Sequence, residues 1–137
     1  QDMNPPIQAN RSVTQRALAA IAALVLLAVA YLHSTGTAAI TEAVNGTDMA
    51  AFFIAAIPVL WLFFTWHLVA ISLPLFWGAV FASSWLRAAT VFVALVAIGD
   101  FIFVFSIAGR FPGTYLLLAV VVLLLIAAVA GRSRKPV

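Results

Sequence analysis

Asp100 is the residue with the clearest potential for chemistry, because it lies within an apolar run, residues 88–109, that carries no other charge. A carboxylate inside a membrane costs a few kcal/mol or more, so it needs a partner or a function. At 1.5 Å per residue, Asp100 lies about 18 Å along a helix that begins near Ala88, close to the middle of a bilayer. Either the carboxylate carries a proton, a cation or a ligand, or it forms a hydrogen bond that holds helices together.

His67 is the second candidate, and Thr65 and Ser106 could add hydroxyl groups to a proton-linked or ligand-binding site. If the helix that contains His67 ends near Ile71, the imidazole lies only about 6 Å from the inner edge of the membrane. A direct bond to Asp100 then requires a tilted helix, and a water-bridged link is expected instead. The alternative is a histidine near the interface that bonds to a backbone carbonyl or a lipid headgroup.

A polar cluster is expected at the outer side, formed by His33, Glu42, Asp48 and Arg110. The spacing of its histidine and carboxylates matches no metal-ligand pattern, so ion pairing with Arg110 is favoured over a metal site. With His33 outside and His67 inside, roughly 20 Å of depth separates the histidines, too far for one bis-histidine haem. The sequence predicts no cofactor, although a bound lipid, quinone or pigment is compatible with it.

The composition is that of a membrane protein. The chain of 137 residues is 66% hydrophobic and 8% charged, and its mean hydropathy is +1.18. Soluble domains carry about 25% charged residues. The absence of cysteine excludes disulfides and thiolate chemistry. The net charge of +3 reflects few acids, and nucleic acid is not an expected partner.

Four apolar stretches predict an all-α protein with one transmembrane domain over residues 1–137. Lipid leaves backbone groups without water, so each span must be helical. Residues 1–12 are expected to form a cytoplasmic arm, and residues 132–137 a basic tail. The predicted spans are approximately residues 14–35, 49–71, 86–109 and 114–131.

The stretch between spans two and three is long and uncharged. Pro74 disfavours a helical residue before it, which predicts that span two ends near Ser72. Residues 75–86 then form a short interfacial helix, with Trp77 and Trp85 as anchors at the headgroups. The alternative is a third span that begins at Leu75 and extends past the membrane.

The basic residues predict the orientation. Six of them fall on one side of the predicted spans and only Arg110 falls on the other. Cytoplasmic loops are enriched in lysine and arginine, so both termini are expected in the cytoplasm, in a bacterial inner membrane. The six are Arg11, Arg16, Arg87, Arg132, Arg134 and Lys135.

The sequence contains no pattern of catalytic residues and therefore does not favour an enzyme. The first hypothesis is a non-catalytic subunit that packs against other integral membrane subunits of a respiratory or photosynthetic complex. The alternative is a small membrane carrier, or a protein that binds a lipophilic ligand such as a quinone, built on Asp100 and His67.

Overall fold

The computed structural model describes residues 5–82 and 84–131. Within these residues the chain is all helical and has no strand. Four helical segments are long and apolar enough to cross a membrane, which confirms the predicted class of multi-span helical membrane protein. In chain order the helices are α1 (Pro5–Thr35), α2 (Thr37–Asn45), α3 (Ala51–Val80), α4 (Leu86–Ala108) and α5 (Pro112–Ala130).

The four long helices form a bundle in which each helix has two neighbours. α1 packs against α3 and α5, and α4 packs against the same two helices on the other side. Short connections join successive spans, so neighbouring helices run in opposite directions, as in an up-and-down bundle. The short helix α2 follows α1 after a break at Gly36 and packs against α3.

The core lies mainly along α1 and α5, where small side chains let the helices approach closely. Small residues at helix contacts are the usual means of packing in lipid, because apolar burial supplies no driving force there. α1 contributes mostly alanines, and α5 fills the space beside them with larger aliphatic side chains. The fully buried residues of these helices include Ala19, Ala22, Ala23, Leu26, Val120, Leu124 and Ala127.

α3 and α4 place large aromatic side chains on the outside of the bundle. This is the expected surface for helices that face lipid, and it leaves the contact between α3 and α4 less extensive than the other contacts of the bundle. The most exposed aromatic residues of the two helices are Phe52, Phe63, Trp66, Phe92 and Phe103.

The prediction that Pro74 ends span two is wrong, because α3 continues to Val80 as one helix of 30 residues. The predicted interfacial helix over residues 75–86 is therefore absent, and so is a span that begins at Leu75. Proline removes one backbone hydrogen bond, but membrane helices tolerate it where other groups satisfy the backbone. The buried hydroxyl of Ser72 donates to the carbonyl of Val69 at 2.9 Å, a local bond within the same helix.

The two ends of the first span also differ from a simple helix with loops. The polar segment predicted as an arm is helical from Pro5 onward, since proline fits the first turn of a helix. Residues 1–4 and the predicted basic tail at 132–137 lie outside the described residues. The connection to span two, expected as a loop, contains α2.

Candidate functional site

The carboxylate of Asp100 is paired with His67 on the neighbouring helix. Nε2 of His67 lies 3.0 Å from Oδ2 of Asp100, within hydrogen-bond and ion-pair distance. α3 supplies the imidazole and α4 supplies the carboxylate. The pair therefore joins two membrane-spanning helices, and the expectation that a direct bond is out of reach is wrong.

The continuous α3 explains why the two groups meet. His67 lies 13 residues before Val80 at the end of α3. Asp100 lies 14 residues after Leu86 at the start of α4. At 1.5 Å per residue these positions are about 20 and 21 Å from the connection between the helices, so their depths match. The predicted end near Ile71 had placed His67 too close to the edge of the membrane.

The pair is enclosed on one side and open on the other. The side chain of Asp100 is 16% exposed and that of His67 is 30% exposed. Toward the start of α4, the face of Asp100 continues through the buried Val93 and Ala97. Toward the end of α4, the same face continues through Phe103, which is 61% exposed. An approach to the pair thus leads along the outer parts of α3 and α4.

Each member of the pair keeps one polar atom free of contacts with the described residues. His67 uses Nε2 for Asp100, and no described group bonds to its Nδ1. Asp100 uses Oδ2, and no described group bonds to its Oδ1. An imidazole and a carboxylate with one free atom each can exchange a hydrogen bond with a third molecule.

An imidazole beside a carboxylate has a net charge of −1, whereas an imidazolium beside a carboxylate, or an imidazole beside a carboxylic acid, is neutral overall. A net charge in apolar surroundings is costly.

A second cluster of polar side chains, which the residue pattern did not predict, surrounds His33 at the end of α1. The imidazole stacks on Trp61 with ring centroids 3.8 Å apart, and Nδ1 lies 2.8 Å from the hydroxyl of Thr65. Nε1 of Trp61 donates to the backbone carbonyl of His33 at 2.8 Å. Trp61 and Thr65 are four residues apart on α3, so both face α1. That spacing is the sequence signal that could have revealed the cluster.

The remaining predicted site residues lie away from the His67–Asp100 pair. Thr65 contacts His33 rather than the pair, and the exposed Ser106 donates to the carbonyl of Phe103 at 2.8 Å. The outer acids and Arg110 are exposed, and no ion pair links them to one another or to His33 within the described part of the chain. The acids are Glu42 and Asp48.

His33 and His67 lie closer together along the membrane normal than the predicted spans imply. The ring of Phe64 lies 5.1 Å from that of His33 and 6.0 Å from that of His67, so a separation of roughly 20 Å is wrong. Depth therefore no longer argues against haem, but Nε2 of His67, a usual iron ligand, is bonded to Asp100. Among the described residues, no group of three histidine, aspartate or glutamate side chains could hold a metal ion.

The two tryptophans predicted as interface anchors lie on either side of the connection between α3 and α4. Trp77 is in the last turn of α3, is 59% exposed and packs on the ring of Phe81. Trp85 precedes α4 and covers Gly78, where an added Cβ would lie 3.1 Å from the indole. The indoles lie at one end of the bundle, where tryptophans meet headgroups in membrane proteins.

The fold and the pair define a class: a helical membrane protein of four spans with a histidine–carboxylate pair near the middle of two of them. Comparisons with protein-family models, with curated proteins and with solved structures found no match for this chain.

Proposed function

We propose that this chain is a small membrane protein that binds a lipophilic ligand with a hydrogen-bonding head, of the quinone class, at His67 and Asp100. The observation that carries the proposal is the 3.0 Å pair between α3 and α4, with a free ring nitrogen on a side chain that is 30% exposed. A carbonyl oxygen of a quinone is an acceptor that matches a protonated Nδ1.

The surroundings of the pair suit a ring and an apolar tail. Phe63 lies one turn from His67 on α3 and Phe103 lies about one turn from Asp100 on α4, and both are largely exposed. Aromatic side chains of this kind favour contact with a planar ring. The pair itself satisfies Asp100 within the chain, so the carboxylate does not need a second protein to neutralise it.

Quinone binding can be tested through tryptophan fluorescence, because Trp66 is adjacent to His67 and exposed. The protein in lipid nanodiscs would be titrated with a benzoquinone and a naphthoquinone that carry short isoprenyl chains. We expect saturable quenching that weakens about 10- to 100-fold in Asp100→Asn and His67→Asn, as loss of a charge-assisted hydrogen bond implies. His33→Asn is the matched control and keeps the affinity. Equal affinity in all four proteins would refute the proposal.

A second candidate is a non-catalytic subunit that packs against other integral membrane subunits of a respiratory or photosynthetic complex. The first half of α3 favours it, because that half carries several large apolar side chains that are exposed. The exposed apolar residues there are Phe52, Phe53, Val59 and Leu60. A partner helix would cover this face, and lipid would cover it otherwise.

Photo-cross-linking in native membranes distinguishes a partner helix from lipid on this face of α3. A photoreactive residue at Phe53 would join a partner subunit, whereas the same residue at Val129, which is 62% exposed on α5, would not. A chain that cross-links only to lipid from Phe53 and purifies as a monodisperse monomer would contradict the subunit hypothesis.

We also propose that both termini are cytoplasmic, in a bacterial inner membrane. Arg16 bonds to the end of α3 and Arg87 lies in the first turn of α4, so both are at one end of the bundle. Arg110 is at the other end, between α4 and α5. Because the chain has no cysteine, single cysteines at Gly46 and Ser84 give a direct test. An impermeant maleimide added outside intact cells should label Gly46→Cys and spare Ser84→Cys, and the reverse pattern would invert the topology.

A further inference from the structure

A groove runs between α1 and α3 at the basic end of the bundle. It has a volume of about 320 Å³ and opens to the outside along its length. Its floor is apolar because α1 presents small side chains there, while Arg16 is its polar member. The lining residues are Val13, Arg16, Ala17, Ala20, Ala79 and Val80.

Arg16 is fixed in this groove by the end of α3. Its Nε donates to the carbonyl of Ala79 at 2.8 Å, and its Nη2 donates to that of Val80 at 2.9 Å. These carbonyls belong to the last turn of a helix, which carries partial negative charge. A guanidinium has five N–H donors, so three remain beyond these two bonds. The side chain is only half-buried, and the remaining donors can reach an anion from outside.

The charge of this end fits an anion rather than a neutral group. Arg87 is exposed at the start of α4, next to the same connection. Gly131 at the end of α5 packs against Gln15, which precedes Arg16. No acidic residue occurs in the first or last turn of the helices that meet at this end.

We propose that the groove is a binding site for one anionic phospholipid, with its phosphate on Arg16 and an acyl chain over Ala17 and Ala20. An apolar groove that ends at a guanidinium matches a molecule with an anionic head and a hydrocarbon tail. A free phosphate would use only Arg16 and leave the apolar floor empty. This site is separate from His67 and Asp100, so the lipid proposal and the quinone proposal can be tested independently.

Native mass spectrometry of the full chain, released from nanodiscs of phosphatidylglycerol and phosphatidylcholine in equal amounts, tests the proposal. We expect one phosphatidylglycerol to be retained preferentially. Arg16→Gln should reduce its retention about fivefold, as an interaction of about 1 kcal/mol with one arginine implies. Arg16→Lys keeps the charge and should retain most of it.

Three further variants and a competitor distinguish a specific lipid site from general attraction to the basic end. Ala17→Leu with Ala20→Leu fills the groove without changing charge and should reduce retention, whereas Ala28→Leu, at an exposed position farther along α1, should not. Glycerol 3-phosphate, which has no acyl chain, should not compete. Arg87→Gln should have a smaller effect than Arg16→Gln. Equal losses for Arg87→Gln and Arg16→Gln, competition by glycerol 3-phosphate, or full retention with a filled groove would each overturn the proposal.

Discussion

The imidazole of His67 bonds to the carboxylate of Asp100 at 3.0 Å near the middle of both α3 and α4, where these helices otherwise share the least extensive contact of the bundle. Among the described residues, this is the side-chain hydrogen bond that joins the two helices. Because both groups are more than two-thirds buried, each depends on the other to satisfy its polar atoms.

Leucine substitutions should reveal this mutual dependence. His67→Leu leaves a carboxyl group unpaired and should lower the free energy of unfolding by about 1–3 kcal/mol. Asp100→Leu leaves a partly exposed imidazole, which solvent or headgroups can reach, and should cost less. The double variant removes both polar groups and should be more stable than His67→Leu. Reversible unfolding in mixed micelles measures the cycle, and strictly additive losses would contradict the coupling.

Residue types predicted the four spans and a position for Asp100 near the middle of its span. The depth that they predicted for its partner, His67, was wrong. Hydropathy and the need to satisfy backbone groups determine the spans, and both are readable from residue types. The local rule that proline disfavours a helical predecessor predicted an end at Ser72. Membrane helices tolerate proline within a span, and α3 continues past Pro74 to Val80. One misplaced helix end moved His67 out of reach of Asp100.

The His33 cluster was missed for a different reason: the spacing of Trp61 and Thr65 places them on one face of α3 but does not say that this face meets His33. Its polar contacts cross between α1 and α3, and the register of two helices depends on packing that no local pattern specifies. The close contact of Gly36 with the indole of Trp61 is likewise visible only in three dimensions. The sequence therefore assigned His33 to a cluster with Glu42, Asp48 and Arg110, which it does not contact in the described chain.

Gly36 should not tolerate even one added carbon. A Cβ at this position would lie 2.9 Å from Cζ2 of Trp61, whose indole is held by the ring and the carbonyl of His33. The φ of −77° suits any residue, so the effect of Gly36→Ala is steric alone. We expect a loss of about 1–3 kcal/mol of stability and a shifted indole N–H resonance for Trp61.

Gly46→Ala is the matched control, because its Cβ would meet no atom closer than 3.7 Å and its φ of −83° is equally ordinary. It should leave the indole resonance in place. An unchanged Trp61 resonance in Gly36→Ala would show that the indole is not fixed as described.

His33 should occupy the Nδ1–H tautomer. The hydroxyl of Thr65 lies 3.3 Å from the carbonyl of Trp61 and can donate to it, so its oxygen accepts from Nδ1 of His33 at 2.8 Å. Nε2 is then unprotonated when the ring is neutral. Imidazole ¹⁵N shifts report the tautomer directly. Thr65→Val should move the ring toward Nε2–H and Thr65→Ser should preserve Nδ1–H, whereas the same tautomer in all three proteins would contradict the assigned donor.

The connection between α3 and α4 contains a residue that glycine should improve. Ala82 has a φ of 51°, in the left-handed region that a Cβ disfavours. The side chain is exposed, so nothing is lost from the core when it is removed. We expect Ala82→Gly to raise the free energy of unfolding by up to about 1 kcal/mol, since relief of strain exceeds the added chain entropy. Ala88→Gly, at an exposed helical position on α4, should lower it by a similar amount. Thermal unfolding in nanodiscs compares the two, and a destabilised Ala82→Gly would mean that the left-handed backbone carries no strain at this turn.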